Sequence, residues 1–122
     1  MSKILLIEDE EIMIELLQKK LTQERYEVLV ARDGEEGLKL MRETWPDLVL
    51  LDLALPKMNG FDVLNEINKN LSLKKIPVII ISNSGQPVEL KKALRLGVKD
   101  WLIKTEFEPQ ELIEKVIKQI GR

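Results

Sequence analysis

Leu48-Val49-Leu50-Leu51, followed at once by Asp52, is the stretch whose reading decides the fold. Four apolar residues in unbroken succession have no polar side to turn toward water. That is the pattern of a strand buried on both faces, as in a parallel sheet covered by helices. Lys3–Ile7 and Pro77–Ile81 repeat it, and Glu27–Ala31 and Trp101–Ile103 complete five short runs. Helical spacing fills the intervals. Met13, Leu16, Leu17 and Leu21 form one stripe, and Gly37, Leu38 and Met41 a second. Phe61, Leu64, Ile67 and Leu71 form a third, Leu90, Ala93, Leu94 and Gly97 a fourth, and Leu112, Val116 and Ile120 a fifth. The last is opened by Glu108-Pro109, with proline near the first helical position. Strand and helix alternate five times, so the expected class is α/β: a doubly wound, five-stranded parallel sheet with helices on both faces. No linker, internal repeat or low-complexity tract interrupts the alternation. Residues 1–122 read as one domain with no output domain after Gly121-Arg122.

Composition removes whole classes of chemistry. The 122 residues contain no cysteine, which excludes a disulfide framework, a thiol nucleophile, an iron–sulfur cluster and a thiolate zinc site. They contain no histidine, which excludes Ser-His-Asp catalysis, HExxH metal chemistry, histidine-held haem and a phosphohistidine on this chain. The 19 basic residues are balanced by 21 acidic ones, for a net charge of −2, which argues against a broad nucleic-acid-binding face. Aromatics at 4% are too few for a base-stacking platform. No apolar run approaches the ~20 residues of a membrane span. The four-residue run Ile4–Ile7 is shorter than the ~7–15 of a secretory core, so the chain reads as cytoplasmic.

An open parallel sheet places its ligand site at the carboxyl ends of its strands. The residues at those ends are Glu8-Asp9-Glu10-Glu11, Asp52, Ser82-Asn83-Ser84 and Lys104-Thr105. Glu8, Asp9 and Asp52 converge if the first and third strands are neighbours. Carboxylates held together repel one another unless a hard cation neutralises them, and Mg²⁺ suits oxygen ligands and water. Ser82 adds a hydroxyl and Lys104 a compact positive charge. A carboxylate beside a divalent cation, a hydroxyl and an ammonium suits a phosphoryl group moving onto a carboxylate nucleophile.

The motif Asp52-Leu53-Ala54-Leu55-Pro56-Lys57-Met58-Asn59-Gly60 resembles the phosphoacceptor segment of response-regulator receiver domains, the CheY-like fold of two-component signalling. The resemblance continues through Ile4–Asp9, Ala31–Glu35, Pro77–Ser82, Ala93–Gly97 and Asp100–Lys104, in order and over almost the whole chain. It implies a flavodoxin-like strand order, 2-1-3-4-5. By the same resemblance, Asp52 accepts a phosphoryl group from a phosphohistidine on a partner histidine kinase or phosphotransfer protein. Asp9 and Asp52 bind Mg²⁺, Glu8 does so through water, and the main-chain carbonyl of Ala54 completes the set. Ser82 and Lys104 each take a phosphoryl oxygen. Ser82 and Trp101 form the switch, and the face formed by about Pro87–Gly97 and Asp100–Lys118 meets an output partner. The domain promotes only its own phosphorylation and dephosphorylation, and neither direct nucleic-acid binding nor membrane insertion is implied. Four positions depart from the pattern: Gly37 and Asn83 replace the usual alanines, Trp101 the usual Tyr or Phe, and Thr105 the usual cis proline. A cis bond without proline costs roughly 3–4 kcal/mol, which leaves the Lys104–Thr105 isomer open.

Each residue also has a plain structural reading. Glu8–Glu11 fit an acidic first helical turn, to which Glu10 and Glu11 are assigned. Asp52 fits a loop cap, Ser82 or Ser84 a helix cap, Lys104 a solvated lysine, and Trp45 a hydrophobic cover. Jointly these readings fail, because four accidents would have to fall at the ends of four strands of one sheet. A phosphate-independent binding module on the same fold is the alternative. A haloacid-dehalogenase-type phosphohydrolase needs an acid where Ala54 stands, and an FMN carrier would find its phosphate repelled by Glu8–Glu11.

Overall fold

A computed structural model describes all residues 1–122. The elements run β1 (Lys3–Ile7), α1 (Glu11–Gln23), β2 (Glu27–Ala31), α2 (Gly34–Thr44), β3 (Leu48–Asp52) and α3 (Gly60–Asn68). A 3₁₀ turn (Leu73–Lys75) follows, then β4 (Val78–Ser82), α4 (Pro87–Arg95), β5 (Asp100–Ile103) and α5 (Pro109–Ile120). All pairings are parallel and the strand order is β2-β1-β3-β4-β5, the order expected. No helix is long and apolar enough to cross a membrane.

The unbroken apolar runs feed two cores. Leu5, Ile7, Val49, Leu51, Val78 and Ile80 face α2, α3 and α4, meeting Leu38, Met41, Leu64, Ile67 and Ala93. Ile4, Leu6, Leu48, Leu50, Ile79 and Ile81 face α1 and α5, meeting Ile14, Leu17, Leu21, Leu112, Ile113 and Val116. Successive side chains on a strand point to opposite faces, so a strand covered on both sides must be apolar at every position. Asp33 caps α2 by accepting from Glu36 N at 2.8 Å, and Asn59 caps α3 by accepting from Asp62 N at 3.0 Å.

Several boundaries differ from the sequence reading. β3 and β4 each reach one residue further, so Asp52 and Ser82 are the last residues of their strands. Pro77 lies outside β4, where it has no N–H to give, but its carbonyl accepts from Val49 N. The α1 stripe is Ile14, Leu17 and Leu21, and Leu16 is turned to solvent. α3 stops before Leu71 because Asn70 Oδ1 accepts the N–H groups of Ser72 and Leu73 and turns the chain. Leu94 is exposed, and Gly97 lies past the end of α4 at φ +88°. Trp45 is 52% exposed, so it covers little.

Gly37 is there for contact rather than looseness: a Cβ built on it lies 2.5 Å from Ile7 Cδ1, so α2 approaches β1 closely. Gly60 serves the site directly. A Cβ there falls 2.7 Å from the Asp52 carbonyl oxygen and 2.6 Å from Leu53 Cα, so only glycine lets α3 begin against the end of β3.

Candidate functional site

β1, β3, β4 and β5 end side by side, and their last or next residues are Glu8, Asp52, Ser82 and Lys104. Glu8, Asp52 and Ser82 are the chain's buried polar residues. Glu8 is held by the sheet, its N–H donating to Ala31 O at 2.9 Å. Its Oε2 accepts from the N–H groups of Asp9 at 3.0 Å and Glu10 at 3.2 Å. Asp52 Oδ1 accepts from Ala54 N at 3.1 Å, which ties the carboxylate to the loop after β3. Lys104 N donates to Ser82 O at 2.8 Å, extending the β4–β5 ladder into the site.

The Lys104 side chain is only 3% exposed. Its Nζ lies 2.7 Å from Glu8 Oε1, 2.5 Å from Glu10 Oε1 and 3.1 Å from Asp52 Oδ2. One ammonium therefore faces three carboxylates. Burial pushes the Glu8 carboxyl up to about 7, against the pull of Lys104 and with a further push from Asp52. Burial works against the Lys104 ammonium, but the attraction of Glu10, Glu8 and Asp52 outweighs that and raises its pKa.

The expected cluster forms, but with different membership. Glu8, Asp52 and Lys104 come together. Asp9 is exposed and lies outside the group of carboxylate oxygens within 4.8 Å of one another, which belongs to Glu8, Glu10 and Asp52. Glu10, read from sequence as part of an acidic first turn, stands at the N-cap of α1 and reaches back over the strand ends. The buried pair Glu8 and Asp52 within that group suits a hard divalent cation. The fit is supported by Glu8 Oε1, which is buried and has no hydrogen-bond donor; Lys104 touches it without bonding alignment.

Ser82 Oγ accepts from Ser84 N at 3.2 Å, and Ser84 O accepts from Trp101 Nε1 at 3.0 Å. The half-buried indole thus holds the β4–α4 loop that follows Ser82. Ser84 is not the cap of α4; Gln86 stands there without a side-chain bond. Every peptide bond is trans, Lys104–Thr105 included. A hollow of about 290 Å³ beside the site is lined by Ala54, Asn59, Phe61, Ser82, Asn83 and Ser84, among others.

Glu8 gives the folded protein a pH signature. The folded carboxyl holds its proton up to about pH 7, whereas in the unfolded chain it ionises near 4.5. The folded state therefore binds the extra proton between those values, and stability falls as pH rises through that window. The expected loss is about 2–3 kcal/mol in the absence of divalent cation, read from denaturant midpoints at pH 5 and pH 8. A flat or rising profile contradicts the charge arrangement.

Residues 4–117 match the family model for the response regulator receiver domain. Among curated relatives, the transcriptional regulatory protein CpxR of Klebsiella pneumoniae is 38% identical over 116 residues, which cover 95% of this chain and 48% of that protein. The chain spans about half the length of the curated relatives it matches. Among solved structures, the phosphorylated cyanobacterial phytochrome response regulator RcpA is 35% identical, with TM-score 0.81 over 94% of this chain and 88% of that one. The receiver domain of the sensor histidine kinase PA1611 from Pseudomonas aeruginosa, with a magnesium ion coordinated in its active-site cleft, is 25% identical, with TM-score 0.89 over 99% and 98%. With strand order, strand-end residues and family match in agreement, this chain belongs to the response regulator receiver domains of two-component signalling.

Proposed function

We propose that Asp52 accepts a phosphoryl group from a phosphohistidine on a histidine kinase or phosphotransfer protein, in a Mg²⁺-dependent reaction, and that the α4–β5–α5 face passes the signal to an output partner. The observation that carries this reading is the buried Asp52 carboxylate, 3.1 Å from Lys104 Nζ and within one cluster of acidic oxygens with Glu8. Asp52 Oδ2 forms the new bond to phosphorus as the bond to the donor imidazole breaks, and the imidazole nitrogen leaves with the electron pair. Lys104 neutralises charge on the phosphoryl oxygens, and Ser82 offers a hydroxyl donor to another. Mg²⁺ supplies further neutralisation when bound; Glu8, Asp52 and the carbonyl of Ala54 would hold it, joined by Asp9, whose exposed carboxylate would have to turn in from solvent. Water attack on the acyl phosphate later returns the carboxylate. Residues 1–122 act as one receiver unit, cytoplasmic and without nucleic-acid or membrane contact of its own.

The test is to incubate the protein with acetyl phosphate, with and without Mg²⁺, and weigh it intact. A gain of one phosphoryl group that needs Mg²⁺ is expected. No gain under either condition overturns the reading in favour of the phosphate-independent binding module, which the departures at Asn83, Trp101 and Thr105 would then explain.

The Trp101 indole already donates to Ser84 O, and it is larger than the usual Tyr or Phe, so turning it further inward overpacks the core at about 1–3 kcal/mol. Signal transfer then rests on the Ser82–Gly85 backbone more than on the aromatic. In a Trp45→Phe background, Mg²⁺ and beryllofluoride should move Trp101 emission only slightly. A large blue shift, reporting a newly buried indole, contradicts this.

A further inference from the structure

Glu10 is the one partner of Lys104 that can leave. Glu8 and Asp52 are buried, Glu8 directly after β1 and Asp52 as the last residue of β3. The Glu10 side chain is 56% exposed and stands at the N-cap of α1, with its carboxylate 2.5 Å from Lys104 Nζ. An ammonium has three N–H groups; Lys104 bonds Glu10 and Asp52, and Glu8 Oε1 crowds it at 2.7 Å, so three carboxylates surround one cation. A phosphoryl group arriving on Asp52 brings its own oxygens to the same ammonium and competes there with the carboxylates already around it.

From this geometry we infer that Glu10 is a positioning and gating residue: it holds Lys104 in the resting domain, competes with the phosphoryl group for that ammonium, and must swing into solvent before the phosphorylated state is complete. The inference deepens the phosphoacceptor reading and rests on it. Its chemistry is that of an internal anion competing with an incoming one for one cation. Two features set the direction of the effect. The pair is half in water, so breaking it costs little, and an exposed ion pair is worth a fraction of a buried one. The Glu10 carboxylate also lies within 4.8 Å of the Asp52 and Glu8 oxygens, so it repels any anion built on Asp52. Both make Glu10 a brake rather than an aid.

The experiment is calorimetric titration of beryllofluoride, which bonds a carboxylate oxygen as a phosphoryl group does, into the whole chain at saturating Mg²⁺. Wild type, Glu10→Gln and Glu10→Asp are compared, after Mg²⁺ alone has been titrated into each. Glu10→Gln should bind beryllofluoride about two- to fivefold more tightly than wild type, the range expected from removing a half-exposed competing charge. Glu10→Asp keeps the charge but is one methylene shorter and withdraws it from Lys104, so it should shift toward Gln. Equal or weaker binding by Glu10→Gln overturns the inference. So does Glu10→Asp behaving as wild type, which would mean a diffuse field rather than capture of Lys104. A Mg²⁺ affinity that collapses in Glu10→Gln also overturns it, by making Glu10 a metal ligand. A wild-type chain that takes no beryllofluoride sinks the phosphoacceptor reading and this inference together, whereas uptake by wild type with Glu10→Gln unchanged sinks this one alone.

Discussion

Asp52→Asn is expected to take up no phosphoryl group from acetyl phosphate and Mg²⁺ and to fold as wild type does. The amide is nearly isosteric with the carboxylate, and its oxygen can still accept from Ala54 N, which bonds Asp52 Oδ1 at 3.1 Å. The substitution removes the proposed nucleophile and one of the three clustered carboxylates. Lys104 keeps Glu8 and Glu10 as partners, at 2.7 Å and 2.5 Å. Because Asp52 helps to push the Glu8 carboxyl up, its neutralisation lets Glu8 ionise at lower pH. The variant should therefore be as stable as wild type or more so, by up to about 1 kcal/mol at pH 8, with a shallower decline between pH 5 and pH 8. Phosphoryl uptake that survives the substitution places the acceptor elsewhere. Loss of the fold means that Asp52 is a structural group first.

Lys104→Ala carries the largest stability effect. Lys104 is the cation shared by three carboxylates, two of them buried, and its removal leaves them facing one another without compensation. Removing one partner of a buried ion pair costs about 3–5 kcal/mol when the remaining charge has no escape. Glu8 has one, because its carboxyl already titrates near 7 and can stay protonated. The expected loss is about 3 kcal/mol at pH 8, shrinking toward pH 5 as the carboxyls protonate. Mg²⁺ should raise the melting temperature of the variant more than that of wild type, since a divalent cation replaces the missing charge. Phosphoryl uptake should slow by about 10²-fold, the usual result of deleting one electrostatic stabiliser of a developing anion. A loss of stability independent of pH and Mg²⁺ would assign Lys104 to packing alone.

The fold was legible because its central strands, β1, β3 and β4, are covered on both faces. Leu48–Leu51 and Val78–Ile81 admit no polar residue, and the unbroken apolar runs they leave are hard to mistake. Helix phase was less legible. In α1, Ile12, Met13, Ile14, Leu16 and Leu17 crowd six positions, so periodicity alone does not choose between the Leu16 side and the Ile14 side; the contact with α5 chooses Ile14. α3 was overextended because Leu71 keeps the helical period, while the Asn70 side chain ends that stretch by turn chemistry that period counting does not see. In the site, Asp52, Glu8 and Lys104 were legible from their places at strand ends. Glu10 was not. Which of the three acids after Glu8 turns inward depends on the backbone direction between β1 and α1, and that direction places Glu10 over Lys104 and leaves Asp9 in solvent. The one available signal was position: Glu10 directly precedes the first helical residue, where a side chain can fold back over the strand ends.

The most direct measurement is to locate the phosphoryl group on the chain. The protein is phosphorylated with acetyl phosphate and Mg²⁺, treated with borohydride to reduce the acyl phosphate to an alcohol, cut with protease and sequenced by mass spectrometry. The expected result is homoserine at position 52 and at no other carboxylate. Reduction at Glu8, Asp9 or Glu10, a stable phosphate ester on Ser82, or no modified residue at all would contradict Asp52 as the acceptor.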